Sequence, residues 1–181
     1  MKALFRSLPF LCLLLVVSAC SVPVWTDGEV PFVATPIAVV DRMLEMAQVT
    51  PVDVVYDLGS GDGAIIIRAA KKFGARGVGI EIDADLVRKA QANAFSEKVE
   101  HLVEFRVQDA LSVDVSQATV VTLYMLPEFN AKLRPIFDRQ LKPGARVISH
   151  DFPVEGWVPD RTEWVKGDFL HDHTILLFEI R

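Results

Sequence analysis

Short apolar runs alternate along the chain with segments in which apolar residues recur every three or four positions. The short runs predict buried strands, and the recurring pattern predicts helices with one apolar face. The predicted strands cover residues 53–57, 77–82, 103–107, 119–123, 146–149, 163–165 and 174–180. The predicted helices begin at Thr35-Pro36, Ala64, Asp83 and Glu128, and the first has Thr35 as its N-cap.

The order of these elements predicts the fold class. Strands that alternate with helices form right-handed crossovers and a mainly parallel sheet. The last two strands have no helix between them, which indicates an antiparallel hairpin at one edge. We therefore predict a doubly wound α/β domain with seven strands, whose ligand binds beyond the carboxyl ends of the parallel strands.

The first twenty residues have the pattern of a secretory signal. Lys2 and Arg6 precede the apolar run Leu8–Val17, which is shorter than the ~20 residues that a membrane span requires. Val17-Ser18-Ala19-Cys20 resembles a bacterial lipobox with Cys20 as the lipidated residue. We expect a membrane-anchored lipoprotein facing the periplasm. The alternatives are an uncleaved anchor on the cytoplasmic side of the inner membrane, or a start codon assigned too early.

The remainder of the chain divides into a linker, residues 21–33, and one domain, residues 34–181. The domain has no cysteine, so it holds neither a disulfide nor a thiolate metal site. The formal net charge of −5 argues against a nucleic-acid partner, since phosphate binding requires a basic face.

A glycine-rich turn, Asp57-Leu58-Gly59-Ser60-Gly61-Asp62-Gly63, follows the first predicted strand. Its glycines allow a ligand to approach the backbone, and this spacing also fits dinucleotide-binding turns. Asp57 separates the two possibilities, because a carboxylate here repels a pyrophosphate but attracts an amino group. The turn resembles the motif of class I methyltransferases that binds S-adenosylmethionine (SAM). We expect Asp57, Gly59, Ser60, Gly61 and Gly63 to bind that cofactor.

Two further acidic positions follow successive strands. Glu81, with Ile82 beside it, ends the second strand, where a carboxylate accepts hydrogen bonds from ribose hydroxyls. Asp109 and Ala110 follow the third strand. The resemblance to class I methyltransferases implies that Asp109 meets the adenine amine and that the Ala110 amide meets a ring nitrogen.

The rim after the fourth and fifth strands is the candidate acceptor side. Tyr124 follows the fourth strand, and its ring face attracts a sulfonium or an ammonium by cation–π interaction. His150 and Asp151 follow the fifth strand, where either one could take a proton from an amine acceptor or orient it. The Asn/Asp-Pro-Pro-Tyr/Phe motif of many nitrogen methyltransferases is missing here, which disfavours nucleic-acid bases and glutamine amides as acceptors.

The tripeptide His171-Asp172-His173 contains potential metal ligands. Alternate residues of an extended segment point to one face and the middle residue points away, so the three do not converge. We predict a solvated turn at this position and no metal site in the domain.

The chain also resembles one methyltransferase family over about Thr35 to Asp160. This family comprises small bacterial relatives of the mitochondrial lysine methyltransferase that acts on the c ring protein of ATP synthase. The similarity rests on the helix at Thr35-Pro36, the Asp57 turn, and residues 77–83, 104–109 and 146–157. It implies a Rossmann-like methyltransferase fold and methyl transfer from SAM to a protein lysine.

Two other functions remain open from the residues alone. One is a nicotinamide-dinucleotide oxidoreductase, and the other is a non-catalytic membrane-tethered binding protein of the same fold. Tight NAD binding without SAM binding would favour the first. Loss of SAM binding on Asp57→Ala, together with no methyl transfer to any membrane extract, would favour the second. A small amine, a quinone or a lipid also remains open as the acceptor.

Overall fold

The computed structural model describes residues 32–167 and 172–181. The helices are α1 (Ile37–Met46), α2 (Ala64–Phe73), α3 (Ala84–Ser96) and α4 (Pro127–Gln140), with a short 3₁₀ turn at Ala110–Ser112. The strands are β1 (Val54–Leu58), β2 (Arg76–Glu81), β3 (Val103–Val107), β4 (Val120–Leu123), β5 (Arg146–His150), β6 (Arg161–Val165) and β7 (His173–Glu179).

The seven strands form one sheet in the order β3-β2-β1-β4-β5-β7-β6. The first five strands along the chain pair in parallel, whereas β7 is antiparallel to both β5 and β6. This arrangement confirms the predicted doubly wound sheet with an antiparallel hairpin at its edge. The last strand along the chain lies inside the sheet, between β5 and β6.

The first residues of α2 and α3 fix the loops that connect these helices to the carboxyl ends of the preceding strands. Gly63 precedes α2 with a φ of +82°, and the Asp83 side chain caps α3 by accepting a hydrogen bond from the Asp85 amide at 2.7 Å. The prediction for α1 was wrong in one respect: Pro36, and not Thr35, occupies the N-cap position. Thr35 faces a cavity instead, because the chain is still extended there.

Two apolar layers hold the helices against the sheet. On one face, α1, α2 and α3 pack over strand residues that include Val55, Val120 and Ile148. On the other face, α4 packs through Leu133 and Phe137, with residues of the 110–118 segment beside it. Both faces of the central strands are therefore buried, as the continuous apolar runs predict.

The predicted signal segment, the lipidation site Cys20 and residues 21–31 of the predicted linker lie outside the described residues. The signal, the lipidation and the membrane location therefore stay predictions. Among the helices that are described, none is long and apolar enough to cross a membrane.

Candidate active site

A cavity of about 520 Å³ lies beyond the carboxyl ends of β1, β2 and β4. That volume is in the usual range of a small-molecule site, roughly 300–1,000 Å³. Eight of the residues that the sequence singled out line it: Asp57, Gly59, Ser60, Glu81, Ile82, Asp109, Ala110 and Tyr124. The predicted residues thus converge on one cavity, although Gly61 and Gly63 form the turn behind the lining.

The glycine-rich turn is packed too closely for side chains. Gly59 and Gly61 both have positive φ, +83° and +52°. A Cβ on Gly59 would lie 2.7 Å from the Met125 sulfur, and one on Gly61 would lie 2.2 Å from the Phe32 ring. Both positions therefore require glycine, and of the two Gly59 lines the cavity.

Asp57 is buried at the base of the cavity. Its Oδ1 accepts a hydrogen bond from the Thr122 hydroxyl at 2.6 Å. Burial raises the pKa of the Asp57 carboxyl from 3.8 to about 7, the Thr122 hydrogen bond opposes this rise, and the nearby charge of Glu81 adds to it. A cationic ligand would relieve this unfavourable charge.

Thr122 is a partner that sequence reasoning missed. Residues 57 and 122 are neighbours only because β1 and β4 pair in parallel with Asp57 opposite Thr122. No local pattern around residue 122 indicates this register.

Glu81 connects two parts of the cavity wall. One carboxylate oxygen accepts the Gly61 amide at 2.9 Å, and the other accepts the amides of Ile82 and Asp83 at 2.8 and 3.0 Å. Each carboxylate oxygen has more than one acceptor site, so capacity remains for ligand hydroxyls. Glu81 thus fixes the glycine turn and can also meet a ribose.

The charge of the lining favours a cation. Five lining residues are acidic (Asp57, Asp62, Glu81, Asp83 and Asp109), and none of the lining side chains in the described part of the chain is basic. A pyrophosphate would meet repulsion here, whereas an amino group and a sulfonium would be stabilised. The residues present therefore fit SAM and disfavour a dinucleotide.

Asp109 and Ala110, which follow β3, also line the cavity. The Asp109 side chain accepts the Leu111 amide at 2.8 Å and caps the 3₁₀ turn. Apolar side chains of Ile82 and Leu86 line the same cavity. Together these residues offer one carboxylate and apolar surface, a combination that suits a flat ring with an exocyclic amine.

The predicted acceptor residues are brought together, but only Tyr124 among them reaches the cavity. The Tyr124 ring lies 3.9 Å from the His150 ring, and Asp151 Oδ2 lies 3.3 Å from His150 Nε2. His150 is fully buried behind Tyr124, so the expectation that it faces the rim needs correction. Burial, with the Asp151 charge as a second cause, raises the pKa of the Tyr124 phenol.

His173 also differs from its prediction. It begins β7, is buried, and places its Nδ1 2.9 Å from His150 Nε2. The predicted solvated turn is therefore wrong for His173, whereas Asp172 is exposed and His171 lies outside the described residues.

Residues 32–35, just before α1, form part of the cavity wall and were missed. Phe32 and Val33 belonged to the predicted linker. Phe32 lies against Gly61, and the Lys89 amine lies 5.6 Å from the centre of its ring. An isolated aromatic residue in an aperiodic segment carries no local signal for such a contact.

Comparison with known proteins places these features in a family. Residues 57–161 match the family described as the ANTKMT methyltransferase domain. A protein-lysine N-methyltransferase of Saccharolobus islandicus is 45% identical over 153 residues, which cover 84% of this chain and 94% of that protein. The lysine N-methyltransferase of Xenopus laevis that is named for the C subunit of ATP synthase is 35% identical over 72% of this chain and 57% of its own length.

A solved structure is also similar. It is described as an RNA methyltransferase from Salinibacter ruber in complex with S-adenosyl-L-homocysteine. It is 57% identical to this chain with a TM-score of 0.78, and the match covers 82% of this chain and 94% of that one.

Proposed function

Because the chain belongs to the ANTKMT methyltransferase domain family, we propose that it transfers a methyl group from SAM to the side-chain amine of a protein lysine. That it is a SAM-dependent methyltransferase follows from the family and from the relatives. The acid-lined cavity, with Asp57 buried at its base, is the observation in this chain that supports SAM as the cofactor.

The lysine acceptor is supported by the relatives named above, two of which are lysine methyltransferases. The Xenopus protein extends well beyond the matched region, so its acceptor does not transfer directly. The net charge of −5 disfavours RNA, the acceptor class named for the Salinibacter enzyme. We therefore propose protein lysine, and not RNA, as the methyl acceptor.

Bound SAM would supply an electrophilic methyl group on its sulfonium, and transfer to the lone pair of a deprotonated amine would break the methyl–sulfur bond and release S-adenosyl-L-homocysteine. The chain contributes mainly by positioning, since no covalent intermediate is required. Asp57 and Glu81 would hold the amino-acid and ribose parts, and Asp109 with Ala110 the adenine. Tyr124 presents its ring to the cavity, and His150 with Asp151 would act through Tyr124 as positioning residues.

The acceptor class is testable with radiolabelled SAM and membrane extracts separated into protein, RNA and small-molecule fractions. We expect label in protein, recovered as methyl-lysine after hydrolysis. Prior acetylation of the extract should block incorporation, because it converts lysine amines to amides that have no nucleophilic lone pair. Label that is released by ribonuclease, or found in the small-molecule fraction, would refute the lysine proposal while leaving SAM-dependent transfer intact.

Phe32→Ala is expected to weaken SAM binding by about three- to tenfold, because the ring covers the Gly61 turn. Calorimetric titration with SAM measures the change. Phe95→Ala, which removes an exposed ring on α3, is the matched control. Equal affinities for both variants would mean that residue 32 does not contribute to the cofactor site.

A further inference from the structure

We propose that His150, Asp151 and His173 bind one divalent transition-metal ion, with zinc as the best match. The three side chains meet at the junction of β5 and β7, where they are buried or nearly so. The cluster lies outside the cofactor cavity, separated from it by the Tyr124 ring. The proposal is therefore independent of the proposed lysine acceptor.

This ligand set differs from the one that the sequence suggested. The sequence predicts no metal site at residues 171–173, because adjacent side chains of an extended segment point to opposite faces and do not converge. The prediction that the domain has no metal site depends on that tripeptide alone. Of the two residues of that tripeptide that the structure describes, Asp172 and His173, His173 belongs to the present cluster. Its partners come from the end of β5, a segment more than twenty residues earlier in the chain.

The donor atoms already have the spacing of a metal site. His150 Nε2 and His173 Nδ1 are 2.9 Å apart, and Asp151 Oδ2 lies 3.3 Å from the first and 3.7 Å from the second. Tetrahedral zinc with bonds of about 2.0–2.1 Å separates its ligand atoms by about 3.3 Å. The three observed distances bracket that value, so one ion could reach all three atoms with small shifts.

Strand pairing holds the cluster in this arrangement. His150 ends β5 opposite Ile175 of the antiparallel strand β7, which brings it beside His173. Asp151 has a φ of +60°, and it bonds twice to Thr174: its amide donates to the Thr174 carbonyl, and its Oδ1 accepts the Thr174 amide, both at 2.7 Å. These two bonds hold the Asp151 side chain with its Oδ2 at 3.3 Å from His150 Nε2 and 3.7 Å from His173 Nδ1.

The ligand set indicates the class of metal. Two imidazoles and one carboxylate suit zinc and neighbouring transition metals, whereas magnesium and calcium require mainly oxygen ligands. A single cation serves all three atoms. It would connect β5 to β7 directly behind the Tyr124 wall.

The test measures metal binding by the full chain, purified without a polyhistidine tag and stripped with a chelator. We expect one equivalent of zinc per chain by elemental analysis, and a tetrahedral visible spectrum on titration with cobalt(II). Asp151→Asn and His173→Ala should each weaken zinc binding by more than about tenfold in chelator competition. Asp151→Asn keeps the size, the backbone preference and an acceptor for Thr174, so it preserves the fold.

Two control variants separate this site from other ligands. His101→Ala removes an exposed histidine elsewhere, and the double variant Cys12→Ser, Cys20→Ser removes both thiols; each should bind zinc like the parent chain. The proposal is overturned if the parent chain binds less than stoichiometric metal. It is equally overturned if Asp151→Asn and His173→Ala retain parental affinity, or if loss of the cysteines abolishes binding.

Discussion

Asp57→Asn is expected to stabilise the folded protein at neutral pH while abolishing most methyl transfer. The carboxyl is buried, and its pKa is raised to about 7, so ionising it in the folded state is costly. Asparagine removes that charge and retains an oxygen for the Thr122 hydroxyl. The same change removes the anion that would hold the cofactor's amino group. We expect methyl transfer to fall about 100-fold or more.

The sign of the stability change follows from proton binding. A carboxyl whose pKa is higher in the folded state binds its proton more tightly there. Its contribution to folding is therefore most favourable below the unfolded value near 3.8 and declines as pH rises through about 7. At pH 8 the substitution should raise the free energy of unfolding by about 1–3 kcal/mol. This gain is smaller than the full cost of ionising Asp57, because the new asparagine NH2 group is buried without a hydrogen-bond acceptor. Near pH 4 the gain should vanish.

Urea unfolding at pH 4 and pH 8 measures this difference, and calorimetry with SAM measures binding.

For the parent chain, SAM affinity should rise with pH up to about 7, because the cation selects ionised Asp57, and then level off. Asp138→Asn, an exposed change on α4, is the control. Unchanged SAM binding in Asp57→Asn, or a loss of stability at pH 8, would contradict the role assigned to this carboxylate.

Glu81→Gln is expected to weaken SAM binding by about 10- to 100-fold. The carboxylate accepts three backbone amides with its two oxygens, whereas glutamine has only one oxygen acceptor. The glutamine NH2 group would then face either the Gly61 amide or the amides of Ile82 and Asp83, and a donor cannot accept their hydrogen bonds. The glycine turn would lose its connection to β2, and the ribose hydroxyls would lose an anionic acceptor.

Steady-state kinetics with varied SAM distinguish this effect from a general loss of structure. We expect KM for SAM to rise much more than kcat falls, because Glu81 acts on cofactor binding and not on the acceptor. Glu100→Gln, at an exposed position after α3, is the matched control. A fall in kcat with an unchanged KM would assign Glu81 a different role.

Prediction from the sequence succeeded for residues that lie in a strand or in the loop directly after it, because the local pattern of apolar, acidic and glycine residues is enough to place them. The Asp57 turn, Glu81 and Asp109 each follow a strand that a short apolar run predicts, and parallel strands bring their carboxyl ends to one edge. Their shared cavity therefore followed from order along the chain. The α1 cap was the local exception, because Thr35 and Pro36 both fit a helix start.

Contacts between distant segments carried no such signal. Thr122 meets Asp57 only through the β1–β4 register, and His150 meets His173 only because β7 inserts beside β5. The sequence placed His173 next to His171 and favoured a turn that contains both. A side chain's partner across a sheet depends on strand order and register, which hydrophobic periodicity does not encode.

By itself, the sequence determined the element types, the doubly wound class and the acidic, glycine-rich turn from which SAM was predicted in preference to a dinucleotide. These features depend on apolar spacing and on charge within a few residues, which are local properties. The tertiary structure alone decided the place of β7, the burial of His150 behind Tyr124 and the covering of Gly61 by Phe32. Those outcomes depend on which surfaces bury together, and burial is a property of the whole packed domain.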